Sequence, residues 1–413
     1  MEETVLIHFS GQDTPGLTAS LTAILAEYDV CVLDIGQAVV HETLALGLLV
    51  EVPGGESFGA LQEGLRAKCR QLGLHVRFTE ITDADLDHWL ATQSKDRFII
   101  TVLGRSISAK QLSIVTAVIA AQSLNLDRIE RLSARMSLAA RTPDANACVE
   151  LRASGAVASE PRMRADLMAA AHDLRIDIAF QRESIFRRNR RLFAFDMDST
   201  LIQAEIIDEL AKMAGVGDRV AKITEAAMRG ELDFKESFTR RVGLLRGLPE
   251  RRILELLDAI PLVEGADRLI GTLKMLGYKT AILSGGFTFF ARHLQSRLGI
   301  DYAYANELDI VDGAVSGLVK CEIVDGAKKA ALLRQIAKQE NISLEQVVAV
   351  GDGANDLPML GIAGMGIAFR AKPLVRQSAG NAVSFLGLDS LLYLIGVRDR
   401  DLYGESVADV DAS

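Results

Sequence analysis

The feature that most restricts this chain is an apolar run cut short by two acids: Leu192-Phe193-Ala194-Phe195, then Asp196-Met197-Asp198-Ser199-Thr200. A short apolar segment bounded in this way has the length and aromatic content of a buried strand. Carboxylates do not stay in a core unpaired. Asp196 and Asp198 therefore belong at the carboxyl end of a central strand, where open α/β sheets collect their ligands. If the strand continued, its period of two would put both carboxylates on one side; if it turns, they stay near a shared site. Two like charges that close need a cation or a shared proton. Taken alone, the same residues also read as a helix-capping turn, because Asp, Ser and Thr are preferred N-caps.

Three downstream segments repeat the theme. Lys279-Thr280-Ala281-Ile282-Leu283 is an apolar strand that stops at Ser284-Gly285-Gly286, a hydroxyl with bare backbone N–H groups that suits a phosphate. Lys329 lies in a helical pattern opened near Gly326 and continued by Leu332, Leu333 and Ile336. Val347 to Val350 is a third strand, closed by Gly351-Asp352-Gly353-Ala354-Asn355-Asp356. Each segment alone is also a turn, a solvated helix face or a capped loop. Together, each at a strand end or just inside a helix, they describe one site.

The set Asp-x-Asp-Ser-Thr, Ser-Gly-Gly, Lys and Gly-Asp-Gly-x-Asn-Asp resembles the motifs of the haloacid dehalogenase superfamily, with a spacing similar to that of phosphoserine phosphatases. The resemblance runs from Leu192 to about Val397. P-type ATPases of that superfamily carry Asp-Lys-Thr-Gly-Thr at the first motif, so Met197 and Asp198 argue against that branch. The resemblance implies an α/β fold, a Rossmannoid parallel sheet over residues 190–398 with an inserted helical cap at 203–262. It implies Mg²⁺ as cofactor and O-phospho-L-serine as substrate. Asp196 would be the nucleophile and Asp198 the acid and base, with Ser284, Gly285 and Lys329 on the phosphoryl oxygens. Asp196, Asp352 and the backbone carbonyl of Asp198 would hold the metal; Asn355 would meet phosphate or lysine, and Asp356 would orient Lys329 or a metal-bound water.

The stretch between Asp198 and Ser284 is too long for one crossover and reads as helical. Ile206, Ile207, Leu210 and Met213 recur at helical spacing, Val220, Ile223 and Met228 suggest a second helix, and Phe234 to Leu245 and Arg251 to Leu257 two more. Within it the resemblance assigns Glu205 to the substrate ammonium, Arg241 to its carboxylate, and Met228 and Phe234 to the lid. On the residues alone these four are equally a surface glutamate, a solvated arginine and core packing.

Upstream, Thr4 to Phe9 alternates as a strand and leads through Gly11-Gln12-Asp13-Thr14-Pro15-Gly16 into a helix bearing Leu17, Leu21, Ile24 and Leu25. Two strands, a helix and a strand complete a βαββαβ order over residues 1–82. A weaker copy of the same order spans 96–182, and repetition is a stronger cue than any single segment. Both copies resemble ACT domains, small α+β, ferredoxin-like ligand-binding modules; the second lacks the Asp-x-Pro-Gly turn. The resemblance implies L-serine as an effector at Asp13 and Gly16, and a homodimer formed through these domains. Thr82 to Asp96 reads as a polar linker, Arg182, Arg187, Arg188, Arg190 and Arg191 as a solvated basic linker, with steering of an anionic substrate as the minor alternative, and 399–413 as a polar tail.

A net charge of −9 and a pI near 5.4 disfavour a nucleic-acid partner. No apolar stretch reaches the length of a membrane span, so the expectation is a cytoplasmic protein with no membrane contact. Cys31, Cys69, Cys148 and Cys321 show no CxxC spacing and read as reduced and structural. The six histidines, none of them in a motif, read as structural. Two other functions remain open: a phosphatase or phosphotransferase acting on a phosphohomoserine-like ester, or an amino-acid sensor with a vestigial phosphatase module. The intact motif acids and Lys329 count against the second. Asp312-Gly313 and Ser316-Gly317 read as a small hairpin near the sheet edge.

Overall fold

The computed structural model describes residues 2–93, 96–135 and 145–403. The chain forms two compact units that divide between residues 95 and 96.

The first unit runs β1 (Glu2–Gln12), α1 (Leu17–Ala26), β2 (Cys31–Val40), β3 (Thr43–Pro53), α2 (Glu56–Leu72), β4 (Leu74–Ile81) and α3 (Asp83–Gln93). Its antiparallel sheet has the order β2-β3-β1-β4. Alternation decides which face is covered: Val5, Ile7 and Phe9 of β1 and Leu44, Leu46 and Leu48 of β3 turn inward. They meet Leu17, Leu21 and Leu25 of α1 and Leu61 and Leu65 of α2. The expected linker is instead largely helical in α3. The Thr82 hydroxyl accepts from the Asp85 N–H at 3.2 Å while the Asp85 carboxylate accepts from the Thr82 N–H at 3.2 Å. This reciprocal cap starts a helix in a stretch with no apolar stripe to announce one.

The second unit begins with the other small domain: β5 (Arg97–Gly104), α4 (Ala109–Ala121), β6 (Asn125–Arg131), β7 (Ala147–Ser154), α5 (Glu160–Leu174) and β8 (Asp177–Arg182). Its order, β6-β7-β5-β8, repeats that of the first sheet. Phe98, Ile100 and Val102 face α4 and α5, while Leu103, Cys148 and Ala179 join the core of the C-terminal module.

That module holds β9 (Leu192–Phe195), α6 (Ile206–Met213), α7 (Gly217–Met228), α8 (Phe234–Leu244), α9 (Glu250–Leu257), α10 (Ala266–Met275), β10 (Lys279–Phe287), α11 (Thr288–Leu298) and β11 (Tyr302–Asn306). There follow β12 (Leu308–Val311), β13 (Ala314–Val319), α12 (Gly326–Gln339), β14 (Val347–Gly351), α13 (Leu357–Ile362), β15 (Met365–Phe369), α14 (Pro373–Ser378), β16 (Asn381–Val383), α15 (Leu391–Leu394) and α16 (Asp399–Tyr403). Six parallel strands lie in the order β11-β10-β9-β14-β15-β16. Central β9 is buried on both faces, Phe193 and Phe195 on one side and Leu192 and Ala194 on the other, as a parallel strand between helical layers must be. Helices α6 to α9 form the insertion. The β12–β13 hairpin turns at Asp312-Gly313, both at positive φ, and bonds to the α8–α9 connection through Gly247 N–H to the Val315 carbonyl at 2.8 Å.

Three sequence expectations are corrected here. The basic run is not a uniformly solvated linker. Arg187 is buried and ion-paired with Glu150 of β7, and buried Arg190 donates to the carbonyls of Glu345 and Gly364. Arg182, Arg188 and Arg191 stay exposed. The polar tail does not start at Asp399, which is buried, begins α16, and accepts from the Tyr393 hydroxyl at 2.9 Å and the Ala134 N–H at 2.7 Å. Residues 404–413 lie outside the described residues. Of the four free cysteines, only Cys69 and Cys148 are buried; Cys31 and Cys321 are at the surface. Among the described residues no helix is long and apolar enough to cross a membrane.

Candidate active site

Three neighbouring parallel strands bring the motifs together. Ile282 of β10 and Val350 of β14 are both in register with Phe195 of β9. Ser284, Asp196 and Asp352 thus emerge at the same end of the sheet from β10, β9 and β14. The chain turns sharply after Asp196: the N–H groups of Leu201 and Ile202 both donate to the Met197 carbonyl, and Ser199 sits at φ 56. This turn returns Asp198 to the site.

Lys329, fully buried on α12, closes the floor. Its Nζ lies 2.8 Å from Asp196 and 2.7 Å from Asp356. Burial works against its charge, but the two carboxylates outweigh that and hold the ammonium above the usual lysine range. Asp356 has its second oxygen on the Gly353 N–H at 2.9 Å. Asp196 Oδ1 also accepts from its neighbour Met197 N–H at 2.7 Å.

Carboxylates crowd this pocket. Burial, then the charges of Asp356 and Asp352, pushes Asp196 up against the pull of Lys329. Asp352 is raised to about 7 by burial, then by Asp356 and Glu205. Asp198 is raised by burial, then by Glu205 and Asp196, and its Oδ1 is buried with no hydrogen-bond partner among the described residues. Oxygens of Asp196, Asp352 and Asp356 lie within 4.8 Å of one another. Such a set of hard oxygen donors, with protonation as its alternative to a counter-charge, fits a divalent cation.

Beside the acids, the Ser284 hydroxyl accepts from the Gly286 N–H at 2.8 Å. A Cβ on Gly286 would come 2.9 Å from Asp198 Oδ2, so glycine permits the approach of backbone to carboxylate. The insertion covers the site: a Cβ on Gly285 would meet the Phe234 ring at 3.0 Å, and Lys235 pairs with Asp325 at 3.1 Å. Rings of Phe234, Phe238 and Phe287 follow one another at 6.0 and 5.8 Å, joining α8 to the end of β10. Glu205 stands at the position before α6, where its side chain makes no capping bond, and it accepts from the Ser199 hydroxyl at 2.8 Å. Arg241 is lowered by its burial, opposed in turn by Asp208, Glu205 and Asp198, and its Nε is buried without a partner among the described residues. An unsatisfied guanidinium nitrogen facing the acids is placed to receive an anion. Asn355, half-buried, stands on the 3₁₀ turn of Ala354–Asp356. The side chain of Met228 lies outside what is described.

The remaining pair, Asp13 and Gly16, lies in the first unit, exposed before α1. Residues not singled out from sequence also shape the site. The fully buried Thr200 hydroxyl donates to Asp352 at 3.2 Å, a role its place in the first motif could have signalled. Asn306, at the end of β11, donates to the Gly285 carbonyl and accepts from the Val324 N–H, each at 2.8 Å. It joins the glycine turn to the loop before Lys329, and nothing in its sequence surroundings announces it.

Comparison with known proteins defines the class first. Residues 190–364 match the haloacid dehalogenase-like hydrolases, and residues 3–79 and 97–181 each match an ACT domain. The chain is 42% identical over 97% of its length to a phosphoserine phosphatase of Streptomyces coelicolor, covering 93% of that protein. It is 39% identical over 98% of its length to one of Mycobacterium tuberculosis, covering 96%. A HAD family hydrolase from Salmonella enterica serovar Typhi superposes with a TM-score of 0.61 at 31% identity, over 73% of this chain and 99% of that one. The chain therefore belongs to the phosphoserine phosphatases of the haloacid dehalogenase superfamily that carry two N-terminal ACT domains.

Proposed function

We propose that this protein hydrolyses O-phospho-L-serine to L-serine and phosphate, the last step of serine biosynthesis, through a phosphorylated Asp196. The observation that carries the reading is the fully buried Lys329 bridging Asp196 and Asp356 at the converging strand ends. Asp196 attacks phosphorus, and the bond from phosphorus to the serine oxygen breaks as Asp198 protonates that oxygen. The environment that raises Asp198 suits it to hold this proton. Asp198 then takes a proton from the water that attacks the aspartyl-phosphate, releasing phosphate and restoring Asp196. Lys329, the Ser284 hydroxyl and the Gly285 N–H stabilise charge on the transferring oxygens, with Asn355 beside them. Asp356 holds the lysine in place.

Asp196, Asp352 and the backbone carbonyl of Asp198 would hold Mg²⁺, with Asp356 within reach; when bound, it neutralises the phosphoryl charge and the crowded carboxylates. Glu205 takes the substrate ammonium and Arg241 its carboxylate, while Phe234 and Met228 help the cap exclude bulk water. In the first unit, α1 starts at Gly16 with φ 89 and no side-chain cap, which leaves N–H groups of its first turn for the carboxylate of an L-serine effector. The exposed edge strand β2, with Val32, Leu33, Ile35 and Val40 uncovered, supports a homodimer through these domains.

Phosphate release from L-phosphoserine, with and without Mg²⁺, tests the scheme. Asp196→Asn is expected to abolish turnover. Arg241→Ala is expected to lower kcat/KM about 10- to 100-fold on phosphoserine, the worth of a lost charge-assisted hydrogen bond, while sparing a generic aryl phosphate. Trapping with beryllium trifluoride should place the adduct on Asp196. An adduct on another side chain, or full turnover after chelation, overturns the mechanism.

A further inference from the structure

A second concentration of guanidinium groups lies away from the catalytic acids, where the second small domain meets the phosphatase module. A cavity of about 190 Å³ is lined by Glu150 and Arg152 of β7, by Arg187 and Arg188 of the turn before β9, and by Arg398 and Asp401 at the carboxyl end. Four cations thus face two acids, and the acids are already engaged. Glu150 gives one oxygen to Arg152 Nε at 2.9 Å and the other to Arg187. Asp401 accepts from the Arg398 N–H at 3.3 Å. The Arg398 fork is turned to Glu130 at 3.0 and 3.3 Å, and Arg152 also reaches Glu183 at 3.6 Å.

Arg187 is left incomplete. It is buried, yet among the described residues its Nε has no hydrogen-bond partner. Burial lowers its pKa, Glu150 opposes this, and the charges of Arg152 and Arg188 lower it further. Arg188 is exposed and makes no ion pair among the described residues. Gly396, at φ 87, lies against the guanidinium: a Cβ there would come 3.2 Å from Arg187 Nη1. Crowded guanidinium groups, a buried N–H with no acceptor, and a cavity of a few water volumes match a small multivalent oxyanion. The space is below the roughly 300 Å³ at which drug-sized ligand pockets begin.

We infer that this cavity is a binding site for one tetrahedral oxyanion of the inorganic phosphate class, held by Arg152, Arg187, Arg188 and Arg398. The site stands on its own geometry; that its occupant is also the reaction's product rests on the proposed function. Arg187 and Arg188 lie on the segment that leads into β9, so the anion would link the second small domain to the strand that carries Asp196.

Equilibrium dialysis of the full chain against labelled inorganic phosphate, at constant ionic strength set with chloride, reads the site without reading turnover. Wild type is expected to bind two phosphates per chain. Ser284→Ala should weaken the catalytic one and leave the other, whatever the true substrate. Arg188→Gln, at an exposed position, should leave one phosphate and weaken the second at least tenfold, with the initial rate of turnover unchanged. Phosphoethanolamine should displace the second phosphate poorly, since the cavity fits a free ion better than an ester; preferential binding of the ester would overturn the assignment to free phosphate. One phosphate per chain in wild type, or two retained in both Arg188→Gln and Arg398→Gln, would overturn the site itself.

Discussion

The two small domains share a topology and differ in what their sheets cover. In the first, β1 and β3 alternate, burying one face under α1 and α2. In the second, β5 is buried at every residue from Phe98 to Gly104, and β7 carries buried Cys148 and Glu150 on the side away from its helices. The second sheet is a layer shared with the phosphatase module; the first has its own core and a bare edge. The turn after the first strand shows the same divergence. In the first copy Gln12 to Gly16 is exposed, whereas in the second Arg105 pairs with Glu264 at 2.5 Å, just past the cap's return to the body. Two frames of one topology are used differently, and one is part of the enzyme's core.

Unequal responses to matched changes test that division. The largest expected effect is at Glu150: Glu150→Ala strands Arg187 in a buried site and should destabilise the second unit by about 3–5 kcal/mol in urea unfolding. Glu51→Ala, on the outward face of β3, should change stability by no more than about 0.5 kcal/mol. Equal, small effects would mean that the second sheet is not a shared layer.

Asp177 sharpens the comparison through pH. Its carboxylate accepts from the N–H groups of Ser384 at 2.7 Å and Phe385 at 3.0 Å, joining β8 to the loop after β16. Burial raises it from 3.8 to about 6, against those hydrogen bonds and the charge of Arg376. A raised acid favours the folded state fully below its unfolded pKa and loses that contribution as pH rises through the folded one. The stability of wild type minus that of Asp177→Asn should therefore fall by about 3 kcal/mol between pH 3.8 and pH 6 and then level off. A difference independent of pH would remove Asp177 as a titrating joint.

A smaller effect than at Glu150 or Asp177 is expected at the free turn. Gly16→Ala forces an L side chain to φ 89 and should cost the first unit about 1 kcal/mol, leaving the unfolding of the second unit unmoved. It should also blunt any response of phosphoserine hydrolysis to added serine. A shift in the second unit's transition would show that the two units are not independent.

Much of this was legible in the sequence because local rules suffice for it. Strands that stop at Asp196 and Asp352, the helical insertion and the repeated βαββαβ order all follow from periodicity and turn chemistry, whereas β10, expected to stop at Ser284, runs on through the glycines to Phe287. The burial of Arg187, Arg190 and Asp399 was not, since an isolated charged residue reads as solvated until its partner is known. Glu150 and Tyr393 are such partners, and no local pattern links them to those charges. Asn306 is hidden for the same reason: its two hydrogen bonds go to residues distant in the chain.

By itself, then, the sequence determined where each reactive side chain sits on its own element, since an apolar run can end only where polar groups find solvent or a ligand. The tertiary structure alone decided that β10, β9 and β14 are neighbours, and that α12 carries Lys329 beneath them. Pairing between parallel strands and the burial of an ammonium between two carboxylates are long-range choices. They are settled by the whole packed core, and no window of sequence contains them.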